Sequence, residues 1–213
     1  MSEDEKFVNL KVDKVSTKKR DKVEKFALMK MNIMPSHPFR LAVCGSSGSG
    51  KSSLLVNLLI TRYEHYDTCD EEEIERILHE QREDIIEIGL DKAPKLLVIF
   101  DDCIAEKNIG SNTIKKLFTQ GRHYNASVAI LSQSYMRIPR DIRLQLSHLC
   151  IFLPNQSECQ RIAEEQQNLY CDAKRLENII YQACKEKHSF LFINKQANPH
   201  EWYRKRFDEI FIM

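Results

Sequence analysis

An α/β domain with a mainly parallel sheet is predicted by three features of this chain. Apolar runs of strand length alternate with amphipathic helical stretches, a glycine- and serine-rich segment joins one such run directly to a helix, and the most apolar run closes on a pair of aspartates. At 213 residues and 42% hydrophobic, the sequence is long enough to bury one sizeable core. We expect one core domain over residues 33–213, preceded by a charged arm or edge element at 1–32. That arm carries Lys18-Lys19-Arg20 within the stretch Lys11 to Lys25, and reads as a solvated element or as a contact for DNA or a partner.

The elements follow in order. Pro35 and Pro38 punctuate the approach to a first strand, Phe39 to Cys44, and a helix is expected from Ser52 to Ile60. From Asp70 to Ile88 apolar residues at 74, 77, 78, 85 and 88 recur at helical spacing among charges, with Gly89 as the stop, so this is a surface helix. Its acidic opening, 70–73, suits the positive end of a helix dipole better than a metal site. Lys95 to Phe100 is an unbroken apolar run, as in a central strand covered on both faces. A helix over 111–121, strands at Ala126–Ser132 and Leu149–Leu153, helices at Glu158–Gln167 and Asp172–Lys185 and a strand at Ser189–Ile193 complete the alternation.

Charge is nearly balanced, 32 Lys and Arg against 31 Asp and Glu, so any nucleic-acid contact rests on local patches. Seven scattered cysteines, without C-x-x-C spacing, read as free buried thiols of a reducing compartment. No apolar stretch reaches the ~18 residues of a membrane span, and no signal-peptide core opens the chain, which predicts a soluble intracellular protein.

The segment Gly45-Ser46-Ser47-Gly48-Ser49-Gly50-Lys51-Ser52, followed by Ser53, matches the phosphate loop pattern G-x-x-x-x-G-K-[ST] between a strand and a helix. The glycines let backbone N–H groups face phosphate oxygens, Lys51 reaches the β- and γ-phosphates, and Ser52 is a ligand for Mg²⁺. This chemistry marks a nucleoside triphosphatase. Hydrolysis also needs a carboxylate to hold the metal and a group to activate water. Asp101, at the C-terminal tip of its strand, suits the first task and Asp102 is the candidate general base. Gln133, ending the strand 126–132, could sense the γ-phosphate or orient water. Arg122, after a glycine turn, and Arg140 and Arg143 are the candidates for an inserted guanidinium, with Arg122 placed first.

Four segments together, Gly45–Ser52, Leu96–Asp102, Phe118–Asn125 and Ile130–Arg143, resemble the genome-packaging ATPases of large double-stranded DNA viruses and virophages, poxvirus-type members of the FtsK/HerA group. The resemblance runs over roughly residues 38–210 and implies an additional-strand, RecA/FtsK-like P-loop fold with helices on both faces of the sheet. It further implies a Mg²⁺-dependent ATPase that drives double-stranded DNA into a preformed capsid as a ring of five or six copies, beside a capsid or portal-vertex protein, in the host cytoplasm or viral factory or in the virion. Lys51 and Ser52 would then bind phosphate and Mg²⁺, Asp101 hold the metal, Asp102 polarise water, Gln133 act as sensor, and one arginine complete a neighbour's site. Lys107, Lys115 and Lys116 are unranked candidates for DNA contact. One departure stands out: the family has a second apolar strand after the first helix, whereas Arg62 to Glu71 runs straight into the acidic helix, so that strand is either short or missing. A small-molecule kinase and a nucleotide-gated assembly protein with weak hydrolysis are the alternative functions.

Overall fold

The protein is described here by a computed structural model that covers residues 35–57, 64–68, 70–101 and 112–211. In chain order its elements are β1 (Arg40–Cys44), α1 (Lys51–Leu55), β2 (Glu64–Asp67), α2 (Glu71–Ile88), β3 (Leu96–Asp101), α3 (Asn112–Gln120), β4 (Ala126–Ser132), α4 (Arg140–Gln145) and β5 (His148–Phe152). Then come α5 (Gln156–Gln166), α6 (Ala173–Cys184), β6 (Phe190–Asn194), β7 (Tyr203–Lys205) and β8 (Glu209–Ile210). The eight strands among the described residues form one sheet in the order β2-β3-β4-β1-β5-β6-β7-β8. The first five in that order run parallel and the last three add antiparallel strands at one edge.

The apolar runs become central strands because each is covered on both faces. Every residue of β4 and β5 is buried, as are the first five of β3. Alternation then sorts the side chains into two cores. Leu96, Val98, Phe100, Val128 and Ile130 meet Ile74 and Ile77 of α2, Ile114 and Leu117 of α3, Ile142 of α4, Ile162 of α5 and Leu176 and Ile180 of α6. On the opposite face Leu41, Val43, Leu97, Ile99, Ala129 and Leu131 pack with Leu55 of α1 and with Phe190 and Phe207. Helices therefore lie on both faces as expected, but the described ones divide unequally, with α1 alone on the second.

Asp70 explains where α2 begins. Its carboxylate accepts the Glu72 N–H at 3.0 Å, and the acids at 71–73 lie in the first turn, so the acidic run is a helix start. Asn155 and Asp172 cap α5 and α6 in the same way, through the N–H groups of Glu158 and Arg175.

The short-strand alternative for residues 62–71 is the one found. Glu64–Asp67 is a four-residue strand, parallel to β3 with Asp67 opposite Ile99. It escapes an apolar reading because, among the described strands, it lies at an edge of the sheet, where polar residues are common. The antiparallel pair β7 and β8 and the short helix α4 also carry no periodic signal, being too short to show one. Of the cysteines, 44, 150, 171 and 184 are buried free thiols and Cys159 is partly exposed; Cys69 and Cys103 lie outside the described residues. No described helix is long and apolar enough to cross a membrane.

Candidate nucleotide site

Parallel strands bring their C-terminal ends to one rim of the sheet, and the loop after β1 is fastened there. Its first residue, Gly45, donates its N–H to the Ser132 carbonyl of β4 at 3.0 Å. The loop is closed within itself by Ser49 N–H to the Ser46 carbonyl, and α1 starts with Leu54 N–H on the Gly50 carbonyl. Gly50 adopts φ of 108°, a backbone region closed to most L side chains. Gly45 is required for a different reason: a Cβ there would stand 2.6 Å from the Phe152 Cβ, a backbone-anchored atom. Gly50→Ala should therefore destabilise the fold by about 1–3 kcal/mol and loosen the loop. A thermal melt alongside a nucleotide titration would show it, and an unchanged melting point would refute it.

Lys51 is 8% exposed and turns its ammonium into the loop, donating to the carbonyls of Gly45 at 2.8 Å and Ser46 at 3.1 Å. The loop thus positions this cation before any ligand arrives. Ser52 and Ser53 are exposed on the first turn of α1. Around them opens a cleft of about 990 Å³, lined by Ser47, Gly48, Gly50, Lys51, Ser52 and Ser53 of the loop and by Asp67, Asp101 and Gln133 from the tips of three strands. Phe152, His188 and Phe190 line it as well, giving it an aromatic wall, and Leu54 of α1 and Asn57 just after that helix complete the lining.

Asp101 closes β3 and Gln133 follows β4, so the rule that ligand-contacting residues gather at strand C-termini places both where the sequence expects them. Asp102 lies outside the described residues. The peptide after Gln133 is fixed from α5: Glu158 accepts the Ser134 hydroxyl at 2.7 Å and also the Tyr135 N–H. Ser132 returns its own hydroxyl to the Ser134 carbonyl at 2.6 Å. Gln133 is therefore flanked on both sides by fastened residues.

Three further groups at the site carry no motif. Asp67 stands at the tip of β2 beside Asp101; burial first, then the neighbouring Asp101 charge, pushes its carboxyl above the usual range, and the Asp101 N–H pulls the other way. His188 bonds the Ser49 carbonyl through Nδ1 at 3.1 Å, linking the turn before β6 to the loop. Glu158 is the third. Only the topology joins these positions to the loop, which is why single-segment patterns miss them.

The arginines separate. Arg122 is exposed just before β4 begins, four residues ahead of Ala126, and so lies at the N-terminal rim. The seven residues of β4 span roughly 23 Å, which puts Arg122 out of reach of the loop in its own subunit. It lines a second cavity there, of about 400 Å³, with Arg40, Gln145 and Gln196. Arg143 is 6% exposed and committed elsewhere: its Nε and Nη2 bond both Glu165 oxygens at 2.9 and 2.6 Å, and its Nη1 bonds the Ile138 carbonyl at 2.6 Å. The side chain that resembles a free guanidinium in the sequence has its donors taken up inside its own subunit. Arg140 is exposed at the start of α4, where Lys115 pairs with Asp141 at 2.9 Å.

A phosphate loop after the central strand of a mainly parallel sheet, with an acid and an amide at neighbouring strand tips, defines a P-loop NTPase fold. The chain belongs to the family of the poxvirus A32 protein, whose family model matches residues 66–197, more than half of the sequence. A DNA packaging protein of vaccinia virus, OPG160, is 29% identical, the match taking in 54% of this chain and 53% of that one. The chain thus spans about half the length of the curated relatives it matches. Among solved structures, the genome packaging NTPase B204 of Sulfolobus turreted icosahedral virus 2, in complex with ATP-γ-S, superposes with a TM-score of 0.53 at 13% identity, over 74% of this chain and 92% of B204. The cytoplasmic domain of the type VII secretion ATPase EccC from Thermomonospora curvata gives 0.53 at 13% identity, over 78% and 26%. At such identities these two matches speak for the fold.

Proposed function

We propose that this protein is a Mg²⁺-dependent ATPase that moves double-stranded viral DNA into a preformed capsid, acting as a ring of identical subunits inside the infected cell. The observation that carries the reading is the cleft itself, where Lys51 and Ser52 of the loop, Asp101 and Gln133 share one wall system. Membership of the A32 family, the DNA packaging role of the vaccinia relative and the ATP analogue held by B204 support it.

In this reading Gly45 to Ser53 cradle the phosphates with backbone N–H groups, and Lys51 swings from the loop carbonyls to the β- and γ-phosphates. The Ser52 hydroxyl and the Asp101 carboxylate are hard oxygen donors of the kind Mg²⁺ takes, so the residues present fit that ion. Bound there, the metal would neutralise charge developing on the phosphate oxygens. Gln133 orients the attacking water or senses the γ-phosphate, and Asp102 is the carboxylate that the sequence nominates to polarise that water. An arginine acting in trans would be Arg122, exposed at the rim opposite its own cleft, rather than Arg143, whose transfer would break its pair with Glu165. On this reading residues 33–213 would be the ATPase domain and 1–32, which lie outside the described residues, a charged arm or edge element whose Lys18-Lys19-Arg20 would be a solvated stretch or a contact for DNA or a partner. DNA, further copies of this chain and a capsid or portal-vertex protein are its partners.

The test is turnover of Mg-ATP by the purified chain with and without duplex DNA over a range of salt. Stimulation by DNA that fades as salt rises is expected, because grip on phosphates releases counterions. Hydrolysis indifferent to DNA at every salt concentration, or phosphate passing to a hydroxyl acceptor, would count against a translocating motor. In the same assay Arg122→Ala should lower turnover by about a thousandfold or more, the scale of a trans-acting guanidinium, with nucleotide affinity unchanged. A drop in affinity equal to the drop in rate would sink the trans assignment.

A further inference from the structure

We propose that Phe152, Phe190 and His188 form the base subsite of the cleft, with His188 the residue that selects adenine over 6-oxo purines. The assignment rests on the reading of the cleft as an ATP site and adds to it the part of the nucleotide that a phosphate loop leaves unread.

The sheet order fixes which way a nucleotide lies. The loop follows β1, which has β4 on one side and β5 on the other. Asp101 closes β3 and Gln133 follows β4, so both stand on the β4 side of the loop. A triphosphate whose γ end meets that acid and amide therefore sends its ribose and base toward β5 and β6. There the cleft changes character. Phe152 ends β5 and pairs with Phe190, the first residue of antiparallel β6, so both reach this same rim, with ring centroids 5.2 Å apart. The wall abuts the end of the loop: a Cβ on Gly50 would stand 3.7 Å from both Phe152 Cε1 and His188 Nδ1. Both phenylalanine rings are otherwise buried, and an apolar aromatic strip of this kind suits a flat purine, not a phosphate.

His188 supplies the selectivity. Its backbone sits at φ of 60°, in the left-handed region that residues with a β-carbon seldom enter and that recurs where ligands are gripped. Nδ1 bonds the Ser49 carbonyl at 3.1 Å, and because a carbonyl can only accept, Nδ1 carries the proton. The neutral ring then has Nε2, on its far side from Ser49, as an acceptor. Adenine offers a donor in its 6-amino group, whereas guanine and hypoxanthine present a 6-oxo oxygen there, lone pair against lone pair. A loop carbonyl thus sets, through one imidazole, which purine the cleft accepts.

The experiment measures calorimetric binding of Mg-ATP, Mg-ITP and Mg-tripolyphosphate by the purified wild type and by His188→Asn, with a thermal melt of each. Asparagine tolerates the same left-handed backbone but lacks the imidazole. ITP replaces the 6-amino group of adenine by an oxo group, and tripolyphosphate reaches the loop without any base. Wild type is expected to bind ATP about tenfold more tightly than ITP, the scale of one hydrogen bond made against one refused. His188→Asn should bind ATP about tenfold more weakly, hold ATP and ITP within about twofold of each other, and keep its affinity for tripolyphosphate within about twofold of wild type. The proposal is overturned if wild type binds ATP and ITP within about twofold, if His188→Asn keeps the preference, or if the variant loses tripolyphosphate in step with ATP, which would make His188 a clip for the loop alone. A wild type that binds none of the three refutes the nucleotide reading itself. One that prefers ATP to ITP and never hydrolyses it refutes the ATPase reading while the base subsite stands.

Discussion

Lys51→Ala is expected to reduce ATP turnover by roughly two to three orders of magnitude, corresponding to the ~3–4 kcal/mol lost when one preorganised donor to a developing oxyanion is removed. The lysine is held by two carbonyls of its own loop, at 2.8 and 3.1 Å, so the site keeps a cation in position ahead of substrate. Truncation removes that cation and leaves both carbonyls without their donor. Lys51→Arg keeps the charge but brings a planar fork into a loop shaped for a compact ammonium, so it should recover binding better than rate. Turnover at saturating Mg-ATP, with the melting point as a control on folding, decides the matter. A Lys51→Ala protein retaining about a tenth of the wild-type rate or more would remove this lysine from the chemistry.

Glu165→Ala carries the second large effect, and it falls on stability. The carboxylate takes two bonds from Arg143 and one from the Tyr135 hydroxyl at 2.9 Å, while Gln166 in turn donates to that hydroxyl at 2.6 Å. Removing the acid leaves Arg143 buried and uncompensated, at a cost of about 3–5 kcal/mol. For a chain of this size that lowers the melting temperature by roughly 6–20 °C. The double variant Arg143→Met with Glu165→Leu should regain most of the loss, because a buried pair replaced by apolar groups is often neutral. Burial pushes the Glu165 carboxyl up, but the hydrogen bonds from Arg143 and Tyr135 and the arginine's charge more than offset it, so its folded pKa lies below the ordinary 4.5. The unfolded chain therefore binds this proton more readily, and the contribution is complete above the unfolded value and is lost as pH falls through the folded one. The gap in melting temperature between wild type and Glu165→Ala should narrow below about pH 4.5, and a gap that widened there would contradict the assignment.

Much of the architecture can be read from the chain because its central strands are covered on both faces and so appear as unbroken apolar runs. Ala126–Ser132 is found with the bounds that its composition predicts, and the strand and helix starting near Lys95 and Asp70 shift by one residue. The phosphate loop is legible for a different reason: its chemistry depends on consecutive residues, so one segment contains the whole signal. The rest of the site is assembled across strands. Asp67 lies on a polar edge strand of four residues, too short for periodicity, and only pairing with β3 reveals its face. Arg143 illustrates the converse. In the sequence it is an exposed-looking arginine among others, and its pairing depends on a glutamate 22 positions later. Arg122 follows a glycine turn and could project freely, yet strand direction puts it at the far rim.

Helix α5 has a role beyond covering the sheet. Glu158 and Glu165 are seven residues apart, about two turns, and so emerge from one side of it. The first grips Ser134 and Tyr135, and the second grips Tyr135 and Arg143. The stretch that follows Gln133 is thereby splinted along a rod about 16 Å long. Any displacement of that glutamine therefore works against bonds that tie its neighbours to the helix at two separate points, the cost falling on Glu158 and Glu165 before it reaches the core.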